Sequence, residues 1–125
     1  VTTESAISTH VDQGVLASLQ EIMEDNYSLL LDTFLQDSDH RLEELRQAGA
    51  DAAGRERVSK AAHSFKGSSS NMGALKLADL CSQLEQCATK APDSCDIDPL
   101  IHKIVAEFEL VKPIYEQERS GRLSA

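Results

Sequence analysis

Ala62-His63-Ser64-Phe65-Lys66-Gly67-Ser68-Ser69-Ser70-Asn71-Met72-Gly73-Ala74 is the stretch on which the fold turns. Wound as a helix at about 100° per residue, it and the residues before it divide into two faces. Val58, Ala61, Phe65 and Met72 fall within roughly 60° of one another and make a stripe to be buried. His63 lies nearly opposite, with Lys66, Gly67 and Ser70 within roughly 60° of it. A polar face carrying His, Lys and a mid-helix glycine is unusual. Glycine costs about 1 kcal/mol of helix propensity relative to alanine, so another requirement has to offset it. The absent side chain one turn from His63 leaves room for a close approach to the imidazole. Lys66, also one turn away, can attract an anion arriving there.

Outward from this stretch the pattern stays helical. Toward the N-terminus, Asp12 caps a short helix over Gln13 to Met23, with Val15, Leu16, Leu19, Ile22 and Met23 on one side. Asp25 or Asn26 is the expected cap of a longer helix, whose apolar positions Tyr27, Leu31, Phe34, Leu35, Leu42 and Leu45 lead to a stop at Ala48-Gly49. Ala50 to Gly54 reads as a loop, and the His63 helix as Arg55 to Met72, closed by Gly73. Ala74 begins the next helix, with the stripe Leu77, Leu80, Cys81, Leu84 and Ala88. Ala91 to Asp98 is a Pro/Asp/Ser loop, and Asp98-Pro99 opens a final helix. Its stripe is Ile101, Ile104, Val105, Phe108, Val111 and Tyr115, and Pro113 inside it should kink or end the helix. Residues 1–10, Ile7 aside, and the tail 120–125 read as loose. The expected fold is all-α: an antiparallel four-helix bundle, one domain over 1–125, with an additional short N-terminal helix capping one end.

Composition agrees. A chain of 125 residues can bury one core without staples. With no Trp and only three prolines, aliphatic helix packing is favoured over a β-sandwich. Lys+Arg number 12 against 21 Asp+Glu, and the resulting charge of −9 repels nucleic acid and anionic membrane. No apolar run approaches the ~18 residues of a membrane span, and no signal-peptide pattern is visible, so a cytoplasmic location is expected. Cys81, Cys87 and Cys95 are odd in number, which argues against a secreted disulfide framework. Cys81 and Cys87, six apart on one helix, make a poor metal pair, and reduced thiols are the expectation for all three.

His63-x-x-Lys66-Gly67-Ser68-Ser69, followed six residues after Gly67 by Gly73-Ala74, resembles the histidine-phosphotransfer (HPt) family of two-component phosphorelays. The likeness continues without a gap through Leu75 to Glu85 on the next helix and spans about thirty residues. The rest agrees in length and helical pattern. The resemblance implies that Nε2 of His63 accepts a phosphoryl group and that Lys66 stabilises its oxygens. It also implies that Gly67 admits the partner's acceptor site. Glu85 stands where the family often has Glu or Gln; in the chemotaxis-kinase branch a carboxylate there orients the ring by accepting Nδ1–H. Ser70, two turns along the same face, completes the expected contact set.

The residues themselves suit that chemistry. Neutral imidazole is a nucleophile near pH 7, and its phosphorylated nitrogen remains a good leaving group. Phosphoryl transfer passes through a loose transition state, so positioning and charge matter more than covalent machinery on the carrier. Rival chemistries lack their parts. There is no Walker pattern or kinase ATP signature, no Gly-x-Ser-x-Gly elbow, and no His-Glu-x-x-His. His10, His40 and His102 read as solvated or edge residues. The expectation is a phosphoryl carrier between receiver-domain aspartates of a hybrid sensor kinase and a response regulator. It would have no kinase activity and no cofactor of its own. Mg²⁺ belongs to the receiver, and a monomer suffices. Two alternatives stand: a helical adaptor without phosphotransfer, and an HPt domain excised from a larger hybrid kinase.

Overall fold

The computed structural model describes residues 10–48, 51–90 and 94–124, the side chains of 122–124 apart. Among the described residues, after helical His10, the elements are α1 (Gln13–Met23), α2 (Tyr27–Gln47), α3 (Ala52–Asn71), α4 (Leu75–Ala88) and α5 (Asp98–Ser124), with no strand. Helices α2 to α5 pack in a ring, each against its chain neighbours and α5 back against α2. Short connections force consecutive helices to run antiparallel. The stripes meet inside: Tyr27, Leu31, Leu45, Val58, Phe65, Leu77, Leu84, Ile104, Val111 and Tyr115 are all almost fully buried. Phe34 packs edge-on to Tyr115 at 4.9 Å, and Phe65 to Phe108 at 6.3 Å.

Helix α1 caps the end of the bundle at the α3–α4 turn. Asp12 accepts the N–H groups of Gly14 and Val15 on its carboxylate, as an N-cap should. Its own N–H donates to the Gly73 carbonyl at 2.8 Å. Gly73 has φ +81° and closes α3 with the Schellman pair, Ala74 N–H to Ser69 O and Gly73 N–H to Ser70 O. A Cβ at Gly73 would come to 3.0 Å from the Asp12 carbonyl oxygen and 3.1 Å from Val15 Cβ. The glycine therefore serves both the left-handed turn and the contact with the N-terminal segment. From below, Tyr115 donates its hydroxyl to the Met72 carbonyl at 2.7 Å.

Several expectations need correction. Helix α3 begins at Ala52 rather than Arg55, because Asp51 caps it by accepting the Gly54 N–H at 2.7 Å. Asn26 precedes α2 without a side-chain cap, since a 3₁₀ turn over Glu24–Asn26 carries α1 straight into α2. Ile22 is 73% exposed, so the buried stripe of α1 narrows to Leu16 with Val15, Leu19 and Met23 half-buried. Pro113 does not end α5, which runs on to Ser124. Both Pro113 and Glu109, whose carbonyl loses its helical donor, face solvent, where water can serve that carbonyl. The helix therefore continues through residues 120–124, expected to be loose. Tyr27 O–H donates to Glu118 at 2.9 Å and Arg119 pairs with Asp32, tying this end to α2. Ile7, the rest of 1–9, and the Gly49 stop lie outside the described residues.

The cysteine expectation is overturned as well. Cys87 and Cys95 form a disulfide with Cα atoms 5.4 Å apart, while Cys81 is free and buried. Cys95 stands beyond the end of α4 in sequence, and the bridge joins it to that end. Buried Arg55 holds the same two segments together: its Nη2 donates to the carbonyls of Cys87 at 2.7 Å, Cys95 at 3.0 Å and Lys90 at 3.4 Å. A cation at the C-terminus of α4 also complements the helix dipole. Burial pushes the Cys81 thiol up to about 12, which leaves it inert. His10 is not solvated either. It is helical and half-buried, with Nδ1 2.6 Å from Glu107, a carboxylate only 3% exposed. His40 and His102 are exposed, as expected.

Candidate functional site

Helix α3 presents its two faces as its periodicity requires. Val58, Ala61, Phe65 and Met72 are buried, while His63, Gly67 and Ser70 are exposed and Lys66 is half-buried. Because Phe65 anchors the helix from within, His63 is held outward; its side chain is 68% exposed. Helix α4 lies alongside, its inner face fixed by Leu77, Leu80, Cys81 and Leu84. That packing brings Glu85, next to Leu84, to the seam between the two helices.

Glu85 joins the site's two cationic or basic groups. One carboxylate oxygen lies 2.8 Å from Nδ1 of His63, and the other accepts from Lys66 Nζ at 2.9 Å. The hydrogen bond from Lys66, with a smaller part from His63, holds the Glu85 carboxyl below its usual range against the opposing effect of burial. The carboxylate is therefore ionised at neutral pH, and an ionised carboxylate only accepts. The 2.8 Å contact thus assigns the ring proton to Nδ1. In the neutral ring Nε2 then carries the lone pair, directed away from Glu85 on an imidazole open to solvent. One carboxylate thus contacts the His63 ring and holds Lys66 one turn from it.

The other two predicted residues stand on the same face with different surroundings. A Cβ built on Gly67 meets nothing within 4 Å, so no neighbour inside the protein requires a glycine there. Ser70 is exposed, and the structure brings it into no contact with His63; its carbonyl serves the α3 cap through Gly73 N–H. Lys66, Gly67 and Glu85 thus stand within one turn of His63 or in contact with it, with Ser70 farther along the face. Arg55 and Glu107 are buried charges that helical periodicity does not reveal. Arg55 acts behind the site, by bonding the carbonyl of Cys87, two residues after Glu85. Among the described residues no group of three or more His, Cys, Asp or Glu is arranged to hold a metal ion, and no helix is long and apolar enough to cross a membrane.

The fold and site together define a helical bundle that offers one tautomerically fixed, solvent-facing imidazole beside a lysine. Comparison with known proteins gives the family. The model of the Hpt domain matches residues 29–112, which include His63, Lys66, Gly67, Ser70 and Glu85. The chain belongs to the Hpt domain family. Among solved structures it resembles histidine-containing phosphotransfer protein B (HptB) from Pseudomonas aeruginosa PAO1. The two are 46% identical with a TM-score of 0.81, the match covering 89% of this chain and 95% of that one. No curated protein matches by sequence.

Proposed function

We propose that this protein is a histidine phosphotransfer protein that carries a phosphoryl group on Nε2 of His63 between receiver-domain aspartates. The observation that carries this reading is the 2.8 Å contact between His63 Nδ1 and Glu85 beneath a solvent-open ring. Nε2 attacks the phosphorus of an aspartyl phosphate; the N–P bond forms as the P–O bond breaks, and the aspartate departs as a carboxylate. The imidazole then bears a positive charge, which the ionised Glu85 stabilises through the Nδ1–H. On the outward leg a second receiver's aspartate attacks the same phosphorus, and the neutral ring leaves with its proton still on Nδ1.

Lys66 serves as the point charge for the phosphoryl oxygens. In the free protein it rests on Glu85, 2.9 Å away, and a short swing transfers it to the arriving anion. Gly67 keeps the surface low beside the ring so that the receiver can reach phosphorus, and Ser70 extends the contact face. The partners are receivers of a hybrid sensor kinase and of a response regulator. Mg²⁺ is theirs, and this chain is a monomeric cytoplasmic carrier with neither ATP-dependent activity nor a role on nucleic acid or membranes. Incubation with a phosphorylated receiver tests the reading. Label should appear on the parent protein and be absent from His63→Gln, with the fold of the variant intact. Label retained by that variant would overturn it, and a parent that takes no label would favour an adaptor bundle.

A further inference from the structure

Charge is distributed unevenly over the bundle. The chain has 21 carboxylates against 12 Lys and Arg, yet α3 carries Arg55, Arg57, Lys60 and Lys66 against the single carboxylate Glu56. In every other helix the acids prevail: five to two in α2, two to one in α4, five to four in α5, and a lone Glu21 in α1. Arg55 is buried under the end of α4, and Lys66 is engaged by Glu85. Two exposed cations of α3 remain, Arg57 and Lys60, on the flank of His63 that faces α2.

A groove of about 430 Å³ lies there between α3 and α2, lined among others by Arg41, Arg57, Lys60 and Ser64, with Glu44 as its carboxylate. Ser64 adjoins His63, so the groove opens beside the imidazole on the side away from Glu85. Arg41 is occupied, bonded to Glu44 at 2.8 Å with Asp37 at 3.8 Å. Lys60 approaches Glu56 at 3.4 Å, but the two side chains are 78% and 69% exposed, and water weakens such a pair. Arg57 has no ion-pair partner among the described residues.

We propose that Arg57 and Lys60 form the docking contact for an acidic protein surface on the phosphoryl-exchanging partner. The proposal rests on the phosphotransfer reading and adds how the partner is oriented. A molecule of net charge −9 repels a partner bearing a phosphoryl and acidic groups, except where its local field reverses. Screening confines that field to about 8–10 Å at physiological salt, so the local patch rather than the net charge governs the last approach. Six residues of helix separate Arg57 from His63, about 9 Å along the axis, which is within that range. An acidic rim seated over the α2–α3 groove would place the partner's phosphorylated aspartate over His63 in one orientation. Such contacts raise association rates and reject wrong partners more than they add affinity.

The test pairs a charge reversal with a matched control. Arg57→Glu/Lys60→Glu is compared with Lys76→Glu/Lys103→Glu, which makes the same change in net charge on exposed residues of the α4–α5 side. A neutral Arg57→Gln/Lys60→Gln variant guards against effects of the new carboxylates. Two phosphodonors are used: a phosphorylated receiver domain that labels the parent, and phosphoramidate, which is too small to need docking. The second-order rate from the receiver should fall at least about tenfold at low salt in the α3 reversal, less in the neutral variant, and by under about twofold in the control. The salt dependence should flatten in the same order, while phosphoramidate labels every variant at the parent rate. An α3 reversal that behaves like the control overturns the proposal. So does an equal loss with phosphoramidate, since the cations would then act on the small anion at His63 itself. If neither donor labels the parent on His63, the phosphotransfer reading fails and the docking proposal falls with it.

Discussion

Glu85 offers the sharpest perturbation, because one side chain performs two separable tasks. Its oxygens lie 2.8 Å from His63 Nδ1 and 2.9 Å from Lys66 Nζ. Glu85→Gln leaves an amide oxygen able to accept Nδ1–H but removes the charge that stabilises the ring after attack. Glu85→Ala removes both. The order of phosphoryl acceptance should be parent, then Gln, then Ala. Loss of one charge-assisted hydrogen bond in the transition state corresponds to about tenfold to a hundredfold in rate. Stability should scarcely respond, by roughly 1 kcal/mol or less, since the Lys66–Glu85 pair is 36% and 26% exposed. The ring can be observed directly. In the parent, the ¹⁵N shifts of His63 at neutral pH should report the Nδ1–H tautomer, and in Glu85→Ala a mixture. Acid gives the third reading. The Glu85 carboxyl is held below its usual range, so its contacts contribute fully above the ordinary Glu value and are lost as pH falls through the depressed one. The Lys66 contact should therefore survive mild acid and disappear below the usual carboxylate range. If Glu85→Ala accepts phosphoryl as fast as the parent with unchanged ring shifts, Glu85 positions nothing and the assignment of its role is wrong.

Other expectations follow from single contacts. Lys66→Ala should slow transfer about tenfold to a hundredfold without unfolding the bundle, and unchanged kinetics at subsaturating receiver would return it to a salt-bridge lysine. Gly67→Ala should raise stability by up to about 1 kcal/mol, because nothing lies within 4 Å of its Cβ, whereas Gly67→Gln should keep the fold but weaken receiver docking. Melting curves and transfer rates measured together check the pair, and a Gln variant as fast as the parent refutes close approach over Gly67. Reduction, or Cys87→Ser/Cys95→Ser, should cost about 2–3 kcal/mol from the short loop closed by the disulfide. Denaturant unfolding of oxidised and reduced protein measures this, and equal midpoints would mean that Arg55 alone secures the end of α4.

What the sequence disclosed depended on local periodicity. Val58, Ala61, Phe65 and Met72 sort to one side of α3 by angle alone, and His63 to the other, so the two faces of the site helix follow from residue spacing. Gly73 was legible for a similar reason: a glycine one residue past a helical stripe commonly supplies the left-handed stop. Contacts between distant elements were not legible. His10 and Glu107 are 97 residues apart, and nothing local marks either as half of a buried pair. Arg55, early in α3, has the pattern of a solvated first-turn residue until the end of α4 closes over it. The Cys87–Cys95 bridge escaped helical-spacing reasoning because Cys95 lies past the end of α4, where angular position along that helix no longer applies. The expected break at Pro113 holds for an isolated helix, whereas contacts of Glu118 and Arg119 with α2 hold α5 together beyond it. Glu85 is intermediate. Its place on α4 was visible through the family resemblance, but only packing brings it between His63 and Lys66.

The central claim is that Nε2 of His63 carries the phosphoryl group. Phosphorylation of the parent by a receiver or by phosphoramidate, followed by ³¹P and ¹⁵N NMR of the intact protein, tests it most directly. One phosphoryl group should appear on the N-phosphorylated ring of His63, attached at Nε2 with the proton retained on Nδ1. The linkage should be labile to acid and stable to base, and His63→Gln should give no such signal. Phosphorylation at Nδ1, on another histidine, or on a base-labile carboxylate would contradict the account.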